Sequence, residues 1–127
     1  NDPAIKIHHY QGTNELVKHI KVLLTDLRSG KKKWSEYVVL TDSHNKQLYE
    51  RLSDIELIKE LKPDNVRYEE ERLCLTTILS YKGLETKHVV LVLNNREEID
   101  KFELYVGMTR AIYDLDILLL DKANSSN

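Results

Sequence analysis

The residue best suited to phosphate chemistry is Arg110, in the segment at positions 105–111 that reads YVGMTRA. An arginine guanidinium stays charged, and its planar fork binds phosphate oxygens in pairs. When it is held in place, it can stabilise the charge that develops on a phosphoryl group during transfer. The competing interpretation is structural, because an arginine near a helix end also pairs with the last carbonyl groups or with a carboxylate.

A second segment, at positions 80–85, reads SYKGLE and carries Gly83 and Glu85. Gly83 permits a positive φ angle or a close backbone approach to a ligand, although it is equally typical of a simple turn. Glu85 follows this turn, and we expect it at the carboxyl edge of a sheet, where open α/β sheets bind ligands. The alternative is a solvated carboxylate, or one at a helix start.

Thr77 and Ser80 add hydroxyl groups where the preceding predicted strand ends. Small hydroxyls are suitable partners for nucleic-acid phosphates and carry no sequence information. The alternative for Thr77 is structural, because threonine is simply a residue that strands favour.

The elements that must position these residues alternate between strands and helices. Apolar spacing predicts an amphipathic helix that Thr13 or Asn14 caps and that ends at Gly30. Strands are predicted over residues 5–10, 37–40, 73–79, 88–93 and 115–120. Further helices are predicted around Leu48 and Leu52, from the capping-box pattern at Ser53 up to Pro63, and over residues 96–111.

This order predicts an α/β fold with a mainly parallel sheet and helices on both faces. The continuous apolar runs at 73–79 and 88–93 are typical of central parallel strands that are covered on both sides. We expect a single domain over residues 1–122 and a disordered tail over residues 123–127.

The two segments, with the strands around them, resemble motifs V and VI of the UvrD/Rep-type superfamily 1 DNA helicases. The resemblance is strongest over residues 73–120. It implies a three-layer RecA-like domain of the P-loop NTPase type, the second of the two motor domains in such an enzyme. The expected partners are therefore single-stranded DNA and an N-terminal motor domain of the same protein.

The resemblance also implies a role for each candidate residue. Arg110 matches the motif VI arginine that reaches the γ-phosphate of ATP, which makes it the expected catalytic arginine finger. Glu85 and Gly83 match the motif V nucleotide contacts, with the glutamate accepting hydrogen bonds from the sugar. Thr77 and Ser80 match positions that contact the backbone of single-stranded DNA. No metal site is expected, because Mg²⁺ would come with the nucleotide.

Half of an ATP site is missing from the sequence. It contains neither the Gly-x-x-x-x-Gly-Lys-Ser/Thr loop that cradles phosphates nor an Asp-Glu strand end that holds Mg²⁺. In the family those features belong to the first motor domain. We therefore expect ATP and Mg²⁺ to be cofactors of a longer protein, and this chain alone neither to bind ATP tightly nor to hydrolyse it.

Three departures from the family pattern support an alternative. Leu79 stands at the usual motif V histidine, Thr86 stands where many members have phenylalanine, and the link over residues 94–103 is short. The alternative is a degenerate helicase-like domain with a non-enzymatic role in protein interaction or regulation.

Composition limits the remaining possibilities. The chain has 127 residues and a formal net charge of −2, so a nucleic-acid site must be a local groove. The single cysteine, Cys74, lies in an apolar run, which excludes a disulfide framework and fits a reducing cytoplasm. No apolar run approaches the roughly 18 residues of a membrane span, so no membrane partner is expected. The chain begins with Asn1 rather than Met, and we expect it to be part of a longer protein.

The histidines and a basic run receive structural interpretations. His8 and His9 are neighbours on a predicted strand, so they face opposite sides and cannot form one metal pair. The five histidines are expected to be structural or exposed. The run at positions 31–34, which reads KKKW, is interpreted as a solvated loop in preference to a phosphate-binding site.

Overall fold

The computed structural model describes residues 4–41, 46–60, 72–78, 86–93 and 111–120. These residues form strands, two α-helices and a short 3-10 turn. In chain order the elements are β1 (Ala4–Tyr10), α1 (Thr13–Arg28), the 3-10 turn (Trp34–Glu36), β2 (Tyr37–Thr41), α2 (Lys46–Ser53), β3 (Ile58–Glu60), β4 (Leu73–Thr77), β5 (Thr86–Leu93) and β6 (Ala111–Leu120).

The strands form one sheet in the order β1-β6-β5-β2-β4-β3. Each neighbouring pair is parallel, so all six strands begin at one edge, here called the amino edge, and end at the other, the carboxyl edge. The register aligns Tyr37 of β2 with His88 of β5, and His88 with Asp114 of β6. The predicted α/β class with a parallel sheet is therefore confirmed.

Helices α1 and α2 pack on one face of the sheet. The buried side of α1 consists of six apolar residues at helical spacing: Leu16, Val17, Ile20, Leu23, Leu24 and Leu27. They share a core with Leu48 and Leu52 of α2 and with alternate strand residues such as Val39 and Val90. Burying each large apolar side chain contributes about 1.5–3 kcal/mol, so this layer holds the helices firmly on the strands.

The opposite face of the sheet carries a second apolar cluster. Its buried members come from β2, β4, β5 and β6, together with Ile78: Val38, Leu40, Cys74, Ile78, Val89, Leu91, Leu93, Leu115, Ile117 and Leu119. Cys74 is buried, as predicted. The helix predicted over residues 96–111 would follow β5, but residues 96–110 lie outside the described part of the chain.

The helix predicted from Ser53 to Pro63 is wrong over its described part. After α2 the chain turns, Leu57 adopts a φ of 74°, and Ile58 begins the short edge strand β3. Leu73 N–H donates to the carbonyl of Leu57 at 2.8 Å, and Ile58 aligns with Leu73 in the parallel pair. Pairing with a strand distant in sequence thus prevails over the local capping signal.

Other element ends also differ from the predictions. Helix α1 has Gly12 at its N-cap without a side-chain cap bond, so neither Thr13 nor Asn14 caps it. Strand β4 ends at Thr77, and β5 begins two residues earlier than predicted, at Thr86. Strand β6 begins at Ala111, which was expected to end a helix and instead pairs with Thr86. None of the described helices is long and apolar enough to cross a membrane.

Candidate amino-edge site

The amino edge at β5 and β6 adjoins two of the predicted site residues. Thr86, the first residue of β5, is the register partner of Ala111, the first residue of β6. In the sequence, Glu85 directly precedes Thr86 and Arg110 directly precedes Ala111. Glu85 and Arg110 themselves lie outside the described residues, but the strand starts that follow them are neighbours in the sheet.

Gly83 and Ser80 also lie outside the described residues. Ligands in open α/β sheets generally bind at the carboxyl edge, and Glu85 is expected there for that reason. Its neighbour Thr86 is instead at the amino edge. The tendency of ligands to bind at the carboxyl edge therefore does not support a ligand-binding role for Glu85.

A β-bulge separates these strand starts from the regular ladder. Between the Thr86–Ala111 pair and the His88–Asp114 pair, β5 advances by two residues and β6 by three. Bulges bend a strand and re-aim its side chains, and they are over-represented next to active sites. The bulge therefore sets the direction in which β6 begins.

A polar network of Glu36, Thr86, Lys87, His88 and Asp114 lies at this edge, and we call it the amino-edge network. The His88 Nδ1 is 2.9 Å from an oxygen of Asp114, and the His88 Nε2 is 4.0 Å from Glu36. Lys87 Nζ donates to the Glu36 carboxylate at 3.1 Å, and the Thr86 hydroxyl donates to the Glu36 carbonyl at 3.1 Å. The network thus ties the 3-10 turn to β5 and β6.

Aromatic rings enclose the network. Tyr37 stacks on the His88 ring, with 4.4 Å between centroids and 17° between planes, and Lys87 lies 5.3 Å from the Tyr113 centroid. Burial, followed by the charge of Asp114, raises the pKa of Tyr37 to about 12. The hydrogen bond to Glu36 raises the pKa of Lys87. At neutral pH Tyr37 is therefore neutral and Lys87 is charged.

A cleft of about 490 Å³ opens beside the network, between α1 and strands β1 and β6. It contains charges of both signs, with Lys6, Lys18 and Lys32 facing Asp26, Asp114 and Asp116. Some of these charges are already paired: Lys32 lies 3.5 Å from Asp26. Because positive and negative groups alternate in the lining, the cleft does not select one sign of ligand.

Four residues on the flank of this cleft, His8, Tyr10, His19 and Asp116, form a second cluster. His8 Nε2 lies 3.4 Å from Asp116, the His8 and His19 ring centroids are 4.8 Å apart, and Tyr10 hydrogen bonds to His19. Burial, followed by the charge of His8, lowers the pKa of His19. Over the described ranges, no group of three His, Cys, Asp or Glu side chains could hold a metal ion.

The predicted DNA-contacting residue Thr77 is at the carboxyl edge, as the last residue of β4. It is half-buried, and its register partner on β2 is Thr41. The Ile78 N–H donates to the Thr41 carbonyl at 3.0 Å, which fixes the exit of the chain from β4. The structure therefore separates Thr77 from the strand starts at Thr86 and Ala111 by the length of the sheet.

Sequence reasoning missed the central members of the amino-edge network. His88 was grouped with the structural or exposed histidines, and neither Asp114 nor Glu36 was considered. One signal was present, because Asp114 and Asp116 alternate on one face of an otherwise apolar strand. Acidic residues at alternate positions of a buried strand need partners, and that need could have directed attention to the histidines.

The comparisons with known proteins support the fold. No protein-family model matches the chain, and neither does any curated protein. Among solved structures, the chain is similar to the crystal structure of the C-terminal domain of a possible DNA helicase from Lactobacillus plantarum WCFS1. The TM-score is 0.61 at 18% identity, over 93% of this chain and 73% of the other. The chain therefore has the α/β RecA-like fold predicted from its sequence.

Proposed function

We propose that this chain is the C-terminal motor domain of an ATP-dependent DNA helicase of the UvrD/Rep type in superfamily 1. In this proposal, the domain supplies Arg110, Glu85 and Gly83 to an ATP site shared with an N-terminal motor domain of the same protein. Thr77 and Ser80 contact the backbone of single-stranded DNA. The similarity to the C-terminal domain of a possible DNA helicase from Lactobacillus plantarum is consistent with this role.

The observation that carries the proposal is the pairing of Thr86 with Ala111. Neighbouring strands are about 4.8 Å apart, and consecutive Cα atoms are 3.8 Å apart. The Cα atoms of Glu85 and Arg110 can therefore be no more than about 12 Å apart, whatever path the chain takes before each strand. Two long side chains that start within this distance can contact one nucleotide.

The proposed DNA contact is at the opposite edge of the sheet. Strand β5 has eight residues, so the two edges are about 23 Å apart at a rise of about 3.3 Å per residue. The chain leaves Thr77 at the carboxyl edge and re-enters the sheet at Thr86 at the amino edge. In the proposal, this connection links the DNA contact to the nucleotide contact, which is what a translocating motor requires.

In the proposed mechanism, the bound nucleotide supplies the phosphoryl group that is transferred to water. Arg110 stabilises the charge that spreads over the phosphoryl oxygens, and Glu85 orients the nucleotide by accepting hydrogen bonds from its sugar. Mg²⁺ would accompany the nucleotide in this proposal. Closure and reopening of the two domains would move the protein along DNA.

The test is ATP hydrolysis by the full-length protein, with and without single-stranded DNA, for wild type and Arg110→Ala. Removing an arginine finger costs about a thousandfold or more in kcat, so we expect DNA-stimulated hydrolysis to collapse while nucleotide binding is largely kept. Arg51→Ala is the matched control, because Arg51 is an exposed residue of α2. This control should hydrolyse ATP as the wild type does.

Two results would contradict the proposal. If the wild type does not hydrolyse ATP at all, the result favours the alternative hypothesis of a degenerate helicase-like domain with a non-enzymatic role. If Arg110→Ala and Arg51→Ala hydrolyse ATP equally well, the protein is an ATPase but Arg110 is not its arginine finger.

A further inference from the structure

We infer that His88 and Asp114 form a positioning pair that fixes the amino ends of β5 and β6 relative to each other. The pair thereby orients Arg110, which directly precedes β6. This inference rests on the proposed function, because its effect is read through the nucleotide site. Neither residue is expected to contact the nucleotide.

The bulge explains why such a pair is needed. Regular parallel pairing holds two strands in register through evenly spaced hydrogen bonds, but β6 carries one extra residue between Ala111 and Asp114. The extra residue is unpaired and disrupts the ladder locally. The His88–Asp114 contact, at 2.9 Å, is the first side-chain link between the two strands after this irregularity.

His88 is held by one stacked ring and by one hydrogen bond. Tyr37 stacks on one face of the ring, Asp114 binds Nδ1, and Glu36 lies 4.0 Å from Nε2. The side chain of His88 is only 17% exposed. A carboxylate only accepts hydrogen bonds, so His88 Nδ1–H is the donor, and the ring has one orientation that satisfies these contacts.

The 3-10 turn extends the same restraint to the start of β5. Glu36 accepts a hydrogen bond from Lys87 through its carboxylate and another from the Thr86 hydroxyl through its carbonyl. Thr86 is buried, and it stands where the resemblance would favour phenylalanine. The hydroxyl group thus has a specific structural partner here, and it fixes the residue that directly follows Glu85.

The chain provides its own control in the His8–Asp116 pair. This pair also joins a histidine to an aspartate on β6, at 3.4 Å, and Asp116 is two residues beyond Asp114. It lies on the regular part of the ladder, where Lys6 and Val90 flank Asp116 in register. Replacing His8 therefore removes a histidine–aspartate contact from the same strand without affecting the bulge.

The experiment measures kcat and KM for ATP in the full-length protein carrying His88→Phe, His88→Asn or His8→Phe. Phenylalanine keeps the stacking on Tyr37 but removes the bond to Asp114, whereas asparagine can still donate a hydrogen bond to Asp114. A displacement of about 1 Å in a catalytic group can cost about a hundredfold. We expect His88→Phe to lower kcat by about ten- to a hundredfold with KM unchanged.

We expect His88→Asn to recover part of this loss and His8→Phe to match the wild type. A second arm combines His88→Phe with Arg110→Ala. If His88 acts through Arg110, the double variant should be no slower than Arg110→Ala alone, because residues that act as a unit are not additive. If His88→Phe fails to fold, Asp114→Ala, which removes the acceptor of the His88 hydrogen bond, is measured in its place, against Asp116→Ala.

The inference is overturned if His88→Phe and His8→Phe have the same kcat, or if the His88 and Arg110 effects multiply. The proposed function fails separately, through Arg110→Ala retaining full hydrolysis. A loss of kcat in Arg110→Ala with no effect of His88→Phe would leave the helicase proposal standing and remove only the positioning pair.

Discussion

Two buried threonines show how differently one residue type can serve this sheet. Thr86 is 5% exposed, and its hydroxyl donates to the Glu36 carbonyl. Thr41 is fully buried at the end of β2, and within the described residues its hydroxyl has no hydrogen-bond partner. A satisfied hydroxyl contributes to stability, whereas an unsatisfied buried one costs free energy.

Replacing each threonine by valine should therefore give opposite results. Thr86→Val removes a hydrogen bond and should lower the free energy of unfolding by about 1 kcal/mol, leaving the Glu36 carbonyl without this donor. Thr41→Val removes a hydroxyl that the described residues do not satisfy and should leave stability unchanged or raise it by up to about 1 kcal/mol. Urea denaturation of both variants measures the difference. Equal losses would mean that the Thr41 hydroxyl is satisfied after all.

The local sequence was enough to identify the candidate site residues. It was not enough to identify the side-chain network at the strand starts that follow them. Arg110 and Glu85 stand in short motifs that can be found along the chain. The contact between His88 and Asp114 joins residues 26 positions apart. A single sequence does not reveal which of five histidines meets which carboxylate, because that depends on the order and register of the strands.

Among the secondary-structure elements, helix α1 is the one that its own sequence predicted best. Its six buried residues recur at helical spacing, and it ends at Arg28, with Ser29 as the C-cap just before the predicted stop at Gly30. Gly30 has a φ of 83°, which lies in the left-handed region, and no atom would contact an added Cβ within 4 Å. The glycine is thus required by backbone conformation and not by lack of space.

A comparison of Gly30→Ala with Gly30→Asn tests this conclusion. Alanine in the left-handed region costs roughly 1–2 kcal/mol, so Gly30→Ala should lower the free energy of unfolding by about 1 kcal/mol. Asparagine visits this region more readily, so Gly30→Asn should lose less. Chemical denaturation followed by circular dichroism gives both values. If Gly30→Ala is as stable as the wild type, the positive φ is not required at this position.

The segment after α2 shows where local signals fail. The pattern from Ser53 to Glu56 has the spacing of a capping box, and Ile55 and Ile58 fit one face of a helix. Both isoleucines are buried, but Ile58 is in β3 and aligns with Leu73. Local apolar spacing cannot reveal an edge strand that pairs with a distant partner, so the helix prediction is wrong at Ile58.

At the scale of the whole molecule, the sheet separates two groups of predicted site residues. Thr77 ends β4 at the carboxyl edge, while Glu85 and Arg110 precede strand starts at the amino edge. The sequence predicted the fold class and the parallel sheet because strand and helix patterns alternate along the chain. The expectation for Glu85 was the carboxyl edge, whereas Thr86, the residue after it, is at the amino edge, because the edge depends on where β5 begins.

Because of this separation, we expect that stimulation of ATP hydrolysis by DNA can be altered without a change in hydrolysis in the absence of DNA. In the full-length protein, Thr77→Ala should weaken stimulation of ATP hydrolysis by single-stranded DNA by several-fold, because one backbone contact is lost. Hydrolysis without DNA should be unchanged, since Thr77 is about 23 Å from the amino edge. Thr25→Ala is the matched control, because Thr25 is exposed on α1 and its hydroxyl bonds only locally to the Lys21 carbonyl. If Thr77→Ala behaves as Thr25→Ala does, the DNA contact is not at Thr77.

The pairing of β1 with β6 has a consequence for the order of biosynthesis. In the described sheet, β1 is an edge strand and its neighbour is β6. Ala4 can therefore pair with Asp114 only after residue 114 has been synthesised. During synthesis, β1 emerges before the other described strands, and its partner β6 emerges after them. Such distant pairing slows folding, because loop-closure entropy must be overcome before the contacts form. Throughout this interval the backbone N–H and C=O groups of β1 have no partner strand, and an unpaired strand edge is prone to pair with other chains.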